Sequence, residues 1–268
     1  MQTKIRVGAV SYLNTKPLVY GFEHGMMAEQ VDLKIDYPSK IASMLLENAI
    51  DVGLVPVAVI PGMKEHYIIS DYCIGCDGEV ASVCLFSEVP LNKIEKVLLD
   101  YQSRTSIALL KILIQQHWKI NPVFEETSCE YQSKISGTTA ALIIGDRALE
   151  QRKISAFIYD LGDEWKKFTG LPFVFAAWVS NKKLGKDFIT SFNESNSFGL
   201  HKIDQIVKDN PYPPFDLKDY YAKYISYHLN DYKREGLEIF LKKISANRLH
   251  DDTREDPHFK IEPVLKLK

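Results

Sequence analysis

A cluster of polar residues follows the first apolar run of the chain, and side chains of these types could form a small anion-binding site. The run is residues 7–10, which predicts the end of a buried strand. Pro17 fits the first turn of a following helix, where its missing N–H is not needed. Free backbone N–H groups and the positive end of a helix dipole attract anions. The alternative is that a side chain of the cluster only caps the helix. The cluster consists of Ser11, Tyr12, Asn14 and Thr15.

Three further polar clusters occupy similar positions after or within apolar runs. Ser103 is a predicted N-cap, with hydroxyls and free N–H groups that suit a carboxylate. Each cluster could instead have a purely structural role, as a helix cap or as a hydroxyl that hydrogen-bonds to a nearby carbonyl. Four such clusters at strand ends together indicate a binding site. The three are Ser82, then Ser103, Arg104, Thr105 and Ser106, and finally Gly145 with Asp146.

Several common catalytic and cofactor motifs are missing. The sequence contains no GxGxxG, P-loop, GxSxG or HExxH pattern. The seven histidines all lie outside the polar clusters, which argues against a serine–histidine nucleophile. Cys73 and Cys76 have CxxC spacing, but no second pair completes a zinc site. We therefore expect neither a metal nor a cofactor.

The elements that must position these clusters alternate between strand and helix, which predicts an α/β fold. Two such cycles predict two lobes, with the long apolar runs at 81–86 and 173–179 as crossover strands. Ligands of such sheets bind at the carboxyl ends of the strands, in a cleft that closes around them. The predicted division is 1–86 for the first lobe, 87–177 for the second, and 178–268 for a return to the first lobe with C-terminal helices. These helices are predicted at 186–195, 198–209, 217–229 and 233–247.

The composition is that of an ordinary globular protein. Of 268 residues, 46% are hydrophobic and 25% are charged, and 33 basic against 35 acidic residues give a net charge of −2. No basic run alternates with aromatics, so no nucleic acid partner is expected. No window approaches the roughly 20 apolar residues of a membrane span, and the N-terminus has no signal-peptide pattern. We expect a cytoplasmic monomer or homodimer without a membrane partner.

The motifs taken together resemble one family. The chain is similar to the chorismate dehydratases of the futalosine route to menaquinone, which have a type II periplasmic-binding-protein fold. The SYLNT and TGLPF strings are specific, whereas Cys76 and Glu79 depart from the residues that the family more often has. The matching stretches are 7–18 (VGAVSYLNTKPL), 51–57 (DVGLVPV), 103–106 (SRTS), 142–146 (LIIGD), 160–162 (DLG) with Trp165, and 169–174 (TGLPFV).

The resemblance implies a reaction and a set of roles. Chorismate, a small dianion, would lose water to give 3-(1-carboxyvinyloxy)benzoate. Asn14 and Ser82 are the implied catalytic residues, which orient the substrate and assist the leaving hydroxyl. The proton acceptor stays open between Asp146 and a carboxylate of the substrate. The implied carboxylate ligands are Ser11, Ser103, Thr105 and Ser106, and Tyr12, Gly145 and Asp146 complete the substrate-binding set.

Three other functions remain as alternatives. A solute-binding protein without chemistry would share the fold, although the missing secretion signal argues against it. The sister enzyme that forms a naphthoate would share the fold but act on another substrate. A thiol-dependent regulator would use Cys73 and Cys76.

Overall fold

The computed structural model describes residues 4–25 and 27–251 and has an α/β fold. Ten strands are described: β1 (Ile5–Val10), β2 (Val31–Asp36), β3 (Val52–Pro56), β4 (Tyr67–Cys76), β5 (Val83–Ser87), β6 (Lys96–Leu99), β7 (Val123–Glu126), β8 (Thr139–Ile144), β9 (Phe157–Asp160) and β10 (Phe173–Ser180). Nine α-helices are described: α1 (Lys16–His24), α2 (Pro38–Leu46), α3 (Arg104–Ile112), α4 (Asp146–Gln151), α5 (Leu161–Thr169), α6 (Lys186–Leu200), α7 (Ile203–Asp209), α8 (Leu217–Asp219) and α9 (Asp231–Asp251). The π-helical segments Leu113–Trp118 and Tyr220–Tyr224 continue α3 and α8.

The strands form two five-stranded sheets of the same design. Their orders are β2-β1-β3-β10-β4 and β7-β6-β8-β5-β9. In each sheet three neighbouring strands are parallel, and the fourth strand in the order runs antiparallel to both its neighbours. Every residue of β3, β5 and β10 is buried, as continuous apolar runs require when both faces of a strand are covered. The predicted two-lobed α/β architecture is therefore confirmed.

The sheet membership of two strands differs from the predicted division at 86 and 177. Strand β5 was predicted in the first lobe but pairs with β8 and β9 of the second sheet. Strand β10 was divided at residue 177 but pairs along its length with β3 and β4. Both runs are apolar because both are buried, and apolar content does not reveal which sheet a strand joins. The chain passes between the sheets at 77–82 and 170–172. The predicted segments also include residues 1–3, 26 and 252–268, which lie outside the described residues.

Helix α1 lies unusually close to α6, and glycines allow this approach. A Cβ atom at Gly21 would lie 2.0 Å from the carbonyl oxygen of Ser195. A Cβ atom at Gly199 would lie 1.9 Å from the carbonyl oxygen of Pro17. Neither distance is possible for a side chain, so both positions require glycine. This contact holds the start of α1, and with it the polar turn that precedes the helix.

The predicted helix at 217–229 ends early. The helical turns stop at Tyr224, and the next residues run beside β4, an edge strand of the first sheet. The Cys73 N–H donates to the Tyr227 carbonyl at 2.7 Å, and the Ser226 N–H donates to the Gly75 carbonyl at 2.8 Å. Pairing with the free edge satisfies backbone groups that would otherwise be exposed. This non-local pairing overrides the local helical pattern.

Within the described ranges no helix combines the length and apolar character needed to cross a lipid bilayer.

Candidate functional site

A cleft opens between the two sheets near the carboxyl ends of β1, β3, β6 and β8. Its lining combines apolar side chains with hydroxyl groups and one amide. Its lining residues are Val10, Tyr12, Asn14, Pro38, Pro56, Ile74, Val80, Ser82, Val83, Ser103, Thr105, Ser106, Ile144, Gly145, Phe175 and Ala176.

The cleft brings together representatives of all four predicted clusters, but two predicted site residues are not in its lining. Ser11 is exposed and lines a neighbouring hollow beside α1 and α7. Its N–H continues the β1–β2 ladder to the Asp36 carbonyl, so its side chain alternates away from those of its neighbours. The Asp146 carboxylate is bonded to the backbone across the interface between the lobes. The predicted residues in the lining are Tyr12, Asn14, Ser82, Ser103, Thr105, Ser106 and Gly145.

The N-terminus of α3 faces the cleft and is capped as expected. The Ser103 hydroxyl accepts a hydrogen bond from the Ser106 N–H at 3.1 Å. The Thr105 hydroxyl accepts one from the Ala58 N–H at 3.1 Å, which ties α3 to the turn after β3 in the other lobe. The first N–H groups of a helix have no acceptor within the helix. The end of α3 thus presents backbone donors and a positive dipole to the cleft.

Asp100 connects two of the clusters from behind the cleft. Its side chain is fully buried at the end of β6 and accepts hydrogen bonds from Tyr131 Oη at 2.7 Å and the Ile144 N–H at 3.2 Å. It also pairs with Arg147 Nη2 at 2.8 Å and accepts the Gln102 N–H at 2.9 Å. One carboxylate therefore fixes the ends of β6 and β8 relative to each other.

Tyr12 closes the cleft by reaching across to the second lobe. Its hydroxyl donates to Gln102 Oε1, which also accepts from Arg147 Nη2 at 3.1 Å. The Tyr12 ring lies against Gly145, where a Cβ atom would come within 2.8 Å of the ring. Gly145 also has a φ of +66°, which favours glycine. Burial raises the pKa of Tyr12 well above its ordinary value, so its hydroxyl stays a donor.

Asp146 makes a second link between the lobes. Its Oδ1 accepts a hydrogen bond from the Leu13 N–H at 3.1 Å, next to Asn14. The Tyr212 hydroxyl donates to the Asp146 carbonyl at 3.0 Å. Burial raises the pKa of Asp146 from 3.8 to about 6. The carboxyl thus holds the polar turn of the first lobe in place.

The Asp146 carboxyl gives the free energy of unfolding a defined pH dependence. Its pKa is near 3.8 when unfolded and about 6 when folded, so the folded state binds more protons between these values. The contribution of Asp146 to stability therefore falls as pH rises through this window. We expect Asp146→Asn, which keeps the acceptor but cannot ionise, to gain stability relative to the original chain over the same range. Urea unfolding of both proteins at a series of pH values measures this, and parallel curves would contradict the assignment.

Ser82 follows a strained turn on the first crossover. The Ser82 N–H donates to the Val80 carbonyl at 2.8 Å, and Ala81 between them has a φ of +63°. This is a γ-turn with a left-handed central residue, which costs about 1–3 kcal/mol. The buried Asp160 carboxylate holds the turn by accepting from the Ala81 N–H at 2.8 Å and from the Val80 N–H at 3.1 Å. Burial raises the pKa of Asp160, and these N–H donors oppose that shift.

A tyrosine that the sequence did not indicate joins the two predicted catalytic residues. Tyr220 is fully buried, and its hydroxyl donates to Ser82 Oγ at 2.6 Å. The Asn14 side chain interacts with the same hydroxyl and lowers its pKa, against the larger effect of burial. The Tyr227 hydroxyl donates to the Asn14 carbonyl at 2.9 Å. Tyr220 lies 138 positions after Ser82 in the chain, so no local spacing could have revealed the contact.

The polar groups that line the cleft are uncharged hydrogen-bond donors. Among the described residues that line it, none carries a charged side chain. An anion would be met by helix and backbone dipoles, hydroxyls and an amide. The described residues contain no cluster of three or more His, Cys, Asp or Glu placed to hold a metal ion. Cys73 and Cys76 are free and fully buried, and burial raises both thiol pKa values, which opposes thiolate reactivity.

Solved structures show that this fold is shared with binding proteins. A protein of Archaeoglobus fulgidus superimposes with a TM-score of 0.71, at 13% identity, over 92% of this chain and 98% of that one. The periplasmic aliphatic sulphonate binding protein SsuA of Escherichia coli gives a TM-score of 0.59, at 15% identity, over 93% and 94%. At these identities the likeness shows the fold, which is periplasmic-binding-protein-like.

Sequence relatives narrow the family. A chorismate dehydratase of Thermus thermophilus is 26% identical over 264 residues, covering 89% of this chain and 94% of that protein. A chorismate dehydratase of Campylobacter jejuni is 28% identical over 255 residues, covering 90% and 98%. The model of the menaquinone biosynthesis family matches residues 5–246, from β1 into α9. The chain therefore belongs to the menaquinone biosynthesis family.

Proposed function

We propose that this protein is a chorismate dehydratase, a hydro-lyase that converts chorismate to 3-(1-carboxyvinyloxy)benzoate and water. The observation that carries the proposal is the meeting of Asn14, from the first lobe, and Ser82, from the connection between the lobes, in a neutral cleft that the N-terminus of α3 faces. Family membership and the two named relatives support the same activity.

The proposed pose matches each part of the dianion to one part of the cleft. A substrate carboxylate meets the first-turn N–H groups of α3, with the hydroxyls of Thr105 and Ser106 beside them. The ring lies against the apolar wall that includes Val10, Ile74 and Phe175. Ser103 acts through its cap of α3. Tyr12 and Gly145 shape the opposite edge, and Asp146 holds the turn that carries Asn14.

The proposed reaction needs no oxidant or co-reactant. The C–H bond on the ring carbon that bears the ether breaks, and its electron pair forms the new ring double bond. The C–O bond to the hydroxyl on the adjacent ring carbon breaks, and the leaving hydroxide together with the removed proton makes up the water. Asn14 and Ser82 donate hydrogen bonds to the leaving oxygen. Because none of the described residues in the lining carries a carboxylate or an imidazole, we assign proton removal to a carboxylate of the substrate. Aromatisation supplies driving force, so positioning and hydrogen bonding supply the catalysis.

The test is to incubate the purified protein with chorismate alone, without added metal or nucleotide. We expect the mass of one water to be lost and the ultraviolet spectrum to become that of a substituted benzoate. Spontaneous rearrangement of chorismate leaves its mass unchanged and is therefore distinguished from loss of water. Chorismate incubated with heat-inactivated protein serves as the control. Saturable binding of chorismate without any loss of water would instead identify a solute-binding protein. Turnover only of a later naphthoate precursor would identify the sister enzyme.

A further inference from the structure

The Tyr220 hydroxyl lies at the centre of the hydrogen bonds behind the cleft. It belongs to the π-helical segment Tyr220–Tyr224, which lies far along the chain from Asn14 and Ser82. It is not itself in the cleft lining, whereas both of its partners, Asn14 and Ser82, are. Its ring packs edge-on against Phe215, with 5.9 Å between ring centroids. The tyrosine is therefore fixed by packing, and only its hydroxyl interacts with the site.

The Tyr220 hydroxyl affects which hydrogen bonds the Ser82 hydroxyl can make. A serine hydroxyl has one hydrogen to donate and two lone pairs to accept with. The Tyr220 hydrogen occupies one lone pair of Ser82 Oγ at 2.6 Å. The protein acceptor for the Ser82 hydrogen is the Val80 carbonyl at 3.4 Å, which is long for a hydrogen bond between oxygens. The Ser82 hydrogen is thus held only weakly inside the protein and is available to a ligand in the cleft.

The same hydroxyl also restrains Asn14. The Asn14 carbonyl accepts a hydrogen bond from the Tyr227 hydroxyl at 2.9 Å, and the Asn14 side chain interacts with the Tyr220 hydroxyl, so Asn14 is restrained from two sides. Burial keeps the pKa of Tyr220 well above its ordinary value. The hydroxyl consequently remains protonated at neutral pH and stays available as a donor.

We propose that Tyr220 is a positioning residue of this site, which aligns the Ser82 hydroxyl and the Asn14 amide with the leaving oxygen of the substrate. This inference rests on the proposed dehydratase function. Tyr220 does not touch the substrate and acts only through its two partners. Its loss should therefore slow the chemical step and spare the binding of the carboxylates, which lie at the N-terminus of α3.

The experiment compares Tyr220→Phe with Tyr221→Phe. Both changes remove one buried phenolic oxygen, but the Tyr221 hydroxyl has no hydrogen-bond partner within the described structure. We expect Tyr220→Phe to lower kcat by about 10- to 100-fold with KM changed less than about threefold, as for a lost alignment. We expect Tyr221→Phe to keep the original kcat. A purely structural role of Tyr220 would lower the thermal midpoint and leave the kcat of the folded protein unchanged, which would overturn the proposal.

Three further variants make the assignment specific. Tyr220→Phe should lower kcat much less in a Ser82→Ala background than in the original chain, because one of the two partners through which Tyr220 acts is already lost. Fully additive losses would overturn the proposal. Tyr220→p-aminophenylalanine keeps a hydrogen-bond donor of similar size at this position and should retain most of the original kcat. This variant also tests the proposal if Tyr220→Phe folds poorly. A kcat as low as that of Tyr220→Phe would contradict the role of the donor. An original chain that does not dehydrate chorismate would overturn the proposed function itself, a result distinct from an active chain that is indifferent to Tyr220.

Discussion

Asn14→Asp is expected to lower kcat/KM for chorismate by about 100- to 1000-fold, the cost of removing one preorganised donor from an active site. The change replaces an amide donor by an acceptor and places a negative charge where a dianion must bind. Like charges repel, so KM should rise as kcat falls. Steady-state kinetics followed by the ultraviolet change would measure both constants.

The matched control for this variant is Asn92→Asp. Asn92 is exposed in a turn before β6 and is outside the cleft lining, yet the change in net charge is the same. We expect its kinetics to match those of the original chain. Full turnover by Asn14→Asp would show that the amide has no part in the reaction.

Asp100→Ala is expected to lower the free energy of unfolding by about 3–5 kcal/mol, the cost of breaking a buried ion pair and leaving one partner uncompensated. The carboxylate is completely buried and also accepts hydrogen bonds from Tyr131 and the Ile144 N–H. Its removal should also loosen the ends of β6 and β8, which carry cleft residues. Chemical denaturation monitored by circular dichroism would measure the change.

An exposed ion pair provides the comparison. Asp204 pairs with Lys218 at 2.7 Å, but the two side chains are 81% and 65% exposed. Because water screens such pairs, Asp204→Ala should cost less than about 1 kcal/mol. Similar losses for the two variants would mean that Asp100 is not the centre of a buried network.

The sequence could predict the cleft because its signals are local. In an α/β protein the carboxyl ends of parallel strands converge, so a polar turn after each apolar strand marks one edge of a site. Asn14, Ser103 and Gly145 were found by this reasoning, and each lines the cleft. The outcome for Ser11 differs because one step along an extended chain reverses the side-chain direction.

What the sequence could not supply depends on contacts between distant residues. The sheet that β5 joins is decided by backbone pairing, and both choices bury the same apolar side chains. Residues 225–229 follow a helical pattern but pair with the edge of β4. Tyr220 reaches Ser82 only because α8 and the segment after it fold back over the crossover. No spacing within the chain encodes such a contact.

The position of the strained turn at Ala81 has a consequence for any opening of the cleft. Val80, Ala81 and Ser82 lie on one of the two chain connections between the sheets, and a rotation of the lobes has its pivot at such connections. Displacement grows with distance from the pivot, so Ser82 travels little when the lobes separate. The hydrogen bond between Tyr12 and Gln102 joins the bodies of the two lobes and has to break. Opening the protein to admit or release a ligand thus need not dismantle the turn that Asp160 holds.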